Sequence, residues 1–107
     1  MDEQTRRRLA FAVACKKGLA PTSVYSFDAD RHTNMEVRAE TMFDHSTRSH
    51  FTDEYDHGRQ AHWQFKLDRD EFEGFDYGSR HHFSGFVAGR SIQIFDHGED
   101  RYFDYSV

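Results

Sequence analysis

The residues of this chain with the means to do chemistry are eight histidines and a set of regularly placed aspartates. They occur in a recurring phrase: an aromatic, Asp, His or Tyr, Gly or Ser, and then, after three variable residues, His or Tyr followed by Phe or Trp. It reads Phe43-Asp44-His45-Ser46 with His50-Phe51, Tyr55-Asp56-His57-Gly58 with His62-Trp63, Phe75-Asp76-Tyr77-Gly78 with His82-Phe83, and Phe95-Asp96-His97-Gly98 with Tyr102-Phe103. The last three copies are 20 residues apart, which marks one structural unit used repeatedly. Phe103-Asp104-Tyr105-Ser106 reads as a truncated echo at the end of the chain.

His45 with His50, and His57 with His62, are pairs that straddle turn signals and could offer imidazoles to a metal across two strands. Tyr stands at the equivalent positions 77 and 102, however, and a ladder of polar aromatics across strands accounts for both residue types. The aspartates could be a set of catalytic carboxylates. Their identical settings instead point to turns held by backbone N–H bonds, or to cross-strand pairing such as Asp96 with Arg101. No nucleophile elbow, zincin, paired-cysteine or phosphate-loop motif is present. The reading is therefore of no catalytic residue, no metal and no cofactor.

The elements that position the phrase follow from periodicity. Residues 2–17 read as a helix, with Asp2 and Glu3 at its positive end, Lys16 and Lys17 at its negative end and Gly18 as C-cap. Leu9, Ala12, Val13 and Lys16 make a stripe on it, flanked by Phe11 and Cys15. Arg6, Arg7 and Arg8 are expected on a solvated face. From residue 22 onward the chain alternates like strand, with strands expected near 23–28, 35–44, 49–57, 60–68, 71–77, 81–88, 91–97 and 101–107. Connections this short require an antiparallel meander.

Four of the turn signals are Gly-X, the composition of a type II′ hairpin; a four-residue loop is the other register. Both place the aromatic and the two His or Tyr positions on one face, and Asp with the final Phe or Trp on the other. The latter face carries Trp63, Phe65, Leu67, Phe72, Phe83, Val87, Ile92, Ile94, Phe103, Tyr105 and Val107, and is the expected core. The 12-residue offset between the first two copies predicts a bulge or bend in strand 49–57.

At 107 residues the chain is expected to be a single domain, 1–107, with helix 2–17 and β-meander 22–107. The fold class is α+β: an N-terminal helix packed on a twisted antiparallel meander of 7–8 strands, open or rolled toward a half-barrel. Formal charge is −5, divided into +3 over residues 1–17 and −8 beyond, which disfavours nucleic acid. One cysteine, no secretory signal and no span of membrane length point to a cytoplasmic protein.

Tyr55-Asp56-His57-Gly58-Arg59 resembles the YD-repeat of large shell-forming toxin proteins, which runs in units of about twenty residues. There Gly follows Tyr-Asp after two residues, and here after one. The hairpins are also similar to the aromatic repeat of choline-binding proteins, whose Trp-Tyr-Tyr signature this chain lacks. Neither resemblance carries a function onto these residues.

The second face holds Phe75, Tyr77, His82, Phe86, Phe95, His97 and Tyr102, too aromatic for an ordinary solvated surface. A helix of about 24 Å cannot cover it as well as the core. The expected function is a non-catalytic interaction module that binds a protein partner, or forms a homo-oligomer, through this face or a sheet edge. The alternatives are a small acidic inhibitor that occupies a nucleic-acid site on its target, and a small pocket enzyme using a His/Asp pair.

Overall fold

Residues Leu9 to Ala14 are six consecutive apolar residues, and six residues turn more than once around a helix. Such a segment has no polar side to show to water. The computed structural model, which describes residues 1–107, resolves this by threading the helix through a closed barrel. Helix α1 (Glu3–Lys17) is buried on every side from Thr5 to Ala14. Asp2 caps it, its carboxylate accepting the Thr5 N–H at 2.8 Å, and Gly18 ends it at φ 86°.

The barrel consists of β1 (Ser23–Ser26), β2 (Arg31–Arg38), β3 (Thr41–Asp44), β4 (Ser49–Phe51), β5 (Tyr55–Asp56), β6 (Ala61–Asp68), β7 (Glu71–Asp76), β8 (His81–Ala88), β9 (Ser91–Asp96) and β10 (Arg101–Ser106). Every strand pairs antiparallel with its sequence neighbours, and β10 closes on β1 through Tyr25↔Ser106 and Ser26↔Tyr105. Eight strands make a lumen that side chains alone can fill; ten leave room for more, and α1 fills it. Its 15 residues, about 22 Å long, cross a body of 30 × 29 × 27 Å, and Ala10, Ala12 and Ala14 let the strands approach closely.

The antiparallel meander and the inward face are as expected: Trp63, Phe72, Phe83, Val87, Ile92, Ile94, Phe103 and Tyr105 are buried against α1, with Phe65, Leu67 and Val107 partly buried beside them. Three expectations are corrected. The helix does not lie on one side of an open or half-rolled sheet; it is enclosed by a closed one. There are ten strands, because 35–44 turns back at Ala39-Glu40 and 49–57 breaks at Thr52 to Glu54. The first copy is not out of phase: 12 is even, a short β4–β5 hairpin absorbs the shorter offset, and Asp44 and Phe51 face inward like their counterparts. The Thr52 hydroxyl accepts the Glu54 and Tyr55 N–H groups to make that turn.

The two rims use different turns. Residues 27–30, 45–48, 57–60, 77–80 and 97–100 are four-residue loops, each ending on a left-handed residue: Asp30, Arg48, Gln60, Arg80 and Asp100. Gly58, Gly78 and Gly98 therefore do not supply a positive φ. A Cβ there would lie 2.8 Å from Ser49 Oγ, 2.4 Å from Arg59 Nη1 and 2.8 Å from His81 Cδ2, respectively. At the opposite rim, two-residue turns begin on Ala39 (φ 53°), Arg69 (φ 57°) and Gly89 (φ 61°). Only the last is a glycine. A β-carbon in the left-handed region costs about 1 kcal/mol, so Ala39→Gly is expected to raise the free energy of unfolding by up to about that amount, read as a higher urea midpoint with an unchanged m-value.

Candidate functional site

The repeat divides its residues between the two sides of the barrel wall at the four-residue-loop rim. On the inner side stand Asp44, Asp56, Asp76 and Asp96, all with no exposed surface. One carboxylate oxygen of each holds its own loop: Oδ1 accepts the N–H of Ser46 (2.9 Å), Gly58 (3.0 Å), Gly78 (3.3 Å) and Gly98 (3.0 Å). The turn-supporting role expected of these residues is thus half of what they do.

The other oxygen meets a cation. Arg8 bridges Asp44 (Nε, 2.9 Å) and Asp56 (Nη1, 2.8 Å), and Arg59 bridges Asp56 (3.2 Å) and Asp76, where its Nη1 meets Oδ2 at 3.2 Å and its Nη2 meets Oδ1 at 2.9 Å. Arg6 reaches Asp96 at 3.0 Å, and the α-amino group of Met1 reaches the same oxygen at 2.9 Å. The expectation of a solvated arginine face is overturned, since Arg6, Arg7 and Arg8 are only 6%, 3% and 2% exposed. Asp96 faces Arg101 in register but does not pair with it; Arg101 turns outward to Asp28.

Burial by itself would raise the carboxyl pKa values of Asp44, Asp76 and Asp96. Hydrogen bonds from Ser46 and Arg8, from Arg59 and Ser79, and from the Met1 amine and Arg6 outweigh it and hold all three below the ordinary range. These charges are structural. No open space surrounds them that would admit a substrate, and no group of three or more His, Cys, Asp or Glu is placed to hold a metal.

On the outer side, each copy makes an aromatic triad. Phe43 lies between His45 (5.0 Å between ring centroids) and His50 (4.9 Å), and Tyr55 between His57 and His62 (4.6 Å each). The two imidazoles of each pair therefore flank an intervening ring. Phe75 packs edge-on with Tyr77 (4.9 Å) and His82 (4.8 Å), and Phe95 with His97 (4.7 Å) and Tyr102 (4.8 Å).

Sequence reasoning missed a fifth triad: Tyr25 with Phe27 at 4.9 Å and His32 at 4.8 Å. Its signal is the spacing of aromatics at 0, +2 and +7, hidden because Ser26 replaces Asp and Thr33 replaces Phe. Ser26 keeps the loop function by accepting the Ala29 N–H at 3.1 Å. The Phe103 to Ser106 echo is no copy. There the aromatics face inward and Asp104 outward, within the strand that closes the barrel.

Adjacent triads are neighbours across the strands, since the His57 N–H donates to the His50 carbonyl, Tyr77 to His62 and His97 to His82. A belt of rings thus runs around the rim from His45 to Tyr102. The residues expected to form the binding face are all on the outer wall of β7–β10 or its loops. Phe75, Tyr77, His82, Phe95, His97 and Tyr102 form two neighbouring triads, and Phe86 stands further down β8 opposite Gln93. Tyr77, Phe86 and Tyr102 are 52%, 43% and 55% exposed.

Cys15 is half-buried, and desolvation pushes its thiol up to about 11, so it stays protonated at neutral pH. No helix is long and apolar enough to cross a membrane.

Replacing Arg8 by Met strands the buried Asp44 carboxylate and leaves Asp56 with Arg59 alone. Loss of one partner of a buried pair costs about 3–5 kcal/mol, and the variant is expected to lose at least that in urea unfolding or to fail to fold. The depressed carboxyl values fix the sign of the acid response. The unfolded chain takes up protons at about pH 4 while these three folded carboxylates do not, so the stability they contribute is constant above that pH and is lost as the solution is acidified below it. Equilibrium unfolding across pH 2–6 checks this.

Comparison of the chain with protein families, with curated proteins and with solved structures finds no match, so the residues of the belt and the ring are the ground for a functional reading.

Proposed function

We propose that this protein is a non-catalytic interaction module that binds a protein partner through the aromatic and histidine-rich outer wall of β7–β10. The observation that carries this reading is the placement of Phe75, Tyr77, His82, Phe86, Phe95, His97 and Tyr102 together on that wall, with the largest rings half exposed. Exposed aromatics collected on one rigid surface are what protein interfaces use as anchors. The wall is also the best-paired part of the barrel, with six ladder pairs at each of its junctions β7–β8, β8–β9 and β9–β10. Its side chains are held in place before any partner arrives, which lowers the ordering cost of binding.

A pocket enzyme would need the barrel interior, and α1 fills it. The acidic inhibitor would need arginines segregated from acids. Instead Arg31, Arg48, Arg80 and Arg101 lie at one rim and Arg38, Arg69 and Arg90 toward the other, among acidic neighbours.

The test uses the whole chain and a Phe86→Ser/Tyr102→Ser variant as baits in extracts of the source cells, with light scattering on each alone. Both residues are exposed, so the two proteins are expected to unfold alike. A partner, or a second copy, retained by the parent and lost by the variant supports the reading. Identical captures and identical masses for both baits overturn it.

A further inference from the structure

We infer that the wall of β6–β10 takes a basic, extended polypeptide segment, seating an arginine or lysine against Phe86 and Tyr102 and beside Glu71 and Glu73; this rests on the interaction reading above and names the partner's chemistry. Two depressions of about 410 and 710 Å³ share Lys66, Glu73 and Ser84, and so form one groove along the outer strands. Phe75, His82 and His97 line one depression, and Phe86, lower on β8, and the rim residue Tyr102 line the other. Beneath it, Gly74 and Gly85 face the core, where the Phe83 and Phe72 rings press against the backbone. A Cβ at Gly85 would come within 1.9 Å of the Gln93 carbonyl oxygen and 2.5 Å of Phe72 Cζ, and one at Gly74 within 2.1 Å of the Gln64 oxygen. The floor of the groove is therefore backed by close-packed core rings.

Its charge selects the partner. Asp68, Glu71 and Glu73 line it against Lys66 alone. None of these three carboxylates has an ion-pair partner in the chain. An anionic or purely apolar segment would leave them uncompensated, and a cation over the adjacent rings gains from both.

The barrel shows this arrangement on its own outer wall. In the β2–β3 hairpin, the Arg38 guanidinium lies 3.9 Å from the centroid of Phe43 and is held by Glu36 at 2.8 Å. Register places Lys66 and Phe86 at the positions equivalent to Arg38 in the next long hairpins, two residues from the Gln64 and Ser84 that face Phe75 and Phe95. Neither Phe75 nor Phe95 carries a cation of its own chain, as Phe43 does. The position that puts an arginine over the aromatic at β2–β3 is held by Lys66 and Phe86 in these hairpins, and neither sets a cation on the ring.

The probe is a fluorescent nonapeptide alternating Arg and Ser, titrated by anisotropy onto the whole protein, with a Glu-Ser peptide as control. Saturable binding of the basic peptide is expected. It should weaken by about tenfold in Glu71→Gln/Glu73→Gln and likewise in Phe86→Ser/Tyr102→Ser, consistent with loss of one desolvated cation contact. Equal binding of the acidic peptide, or binding indifferent to both double variants, overturns the inference. If the cellular partner is lost with Phe86→Ser/Tyr102→Ser but kept with Glu71→Gln/Glu73→Gln, the wall is an interface and the basic segment is refuted. If neither double variant changes the capture, both readings fail.

Discussion

The fold depends on the pairing of helix arginines with aspartates at the ends of the hairpins. Each aspartate does two jobs with one carboxylate: an oxygen closes its four-residue loop and the other meets a guanidinium or the α-amino group. Local turn formation and helix position are therefore coupled through the same atoms. A helix of alanine, leucine and valine could slide or rotate in a greasy lumen at little cost. Arg6 reaching Asp96 and Arg8 reaching Asp44 and Asp56 remove that freedom, because any shift leaves charges buried without partners. The role attributed to these pairs is registry, in addition to whatever net stability they contribute. Arg59, from the β5–β6 loop, continues the chain of charges to Asp76, where no helix residue reaches.

With those charges inside, the outer surface acquires its character by alternation. An aspartate pointing inward obliges its two neighbours in the phrase to point outward, so each hairpin that contributes a carboxylate to the ring also contributes a ring triad to the belt. Three buried arginines and the α-amino group of Met1 balance the four buried aspartates, so the net negative charge of the chain lies on the outside. The belt follows the rim from His45 to Tyr102, but its setting is uneven. β4 and β5 have three and two residues and one ladder pair between them, whereas β6 to β10 form long continuous ladders. The side with the paired depressions is the side with the firmer backbone.

Much of this was legible. The helix limits, the hairpins of β6–β10, the inward face and the aromatic face all follow from period, parity and Gly-X turns. What was missed has identifiable causes. The Ala39-Glu40 turn carries no glycine although Ala39 takes a positive φ, so 35–44 reads as one strand. The β4–β5 turn rests on the Thr52 hydroxyl, a weaker signal than glycine or proline. Leu9, Ala12 and Val13 look like a stripe when taken alone; the run Leu9 to Ala14 shows that apolar residues surround the helix, and hence that it is enclosed.

Residue order thus settled what depends on near neighbours: where the chain is helical, where it reverses and which side chains share a face, since each is governed by contacts a few residues apart. Closure of the sheet, the helix within it and the partners of Arg6 and Arg8 rest on contacts between residues 36 to 90 positions apart. An arginine run reads as solvated because burial of a guanidinium requires a carboxylate that turns toward it. That carboxylate was visible in the repeat, but its direction became known only when ten strands curved around one helix and brought the repeats into a ring.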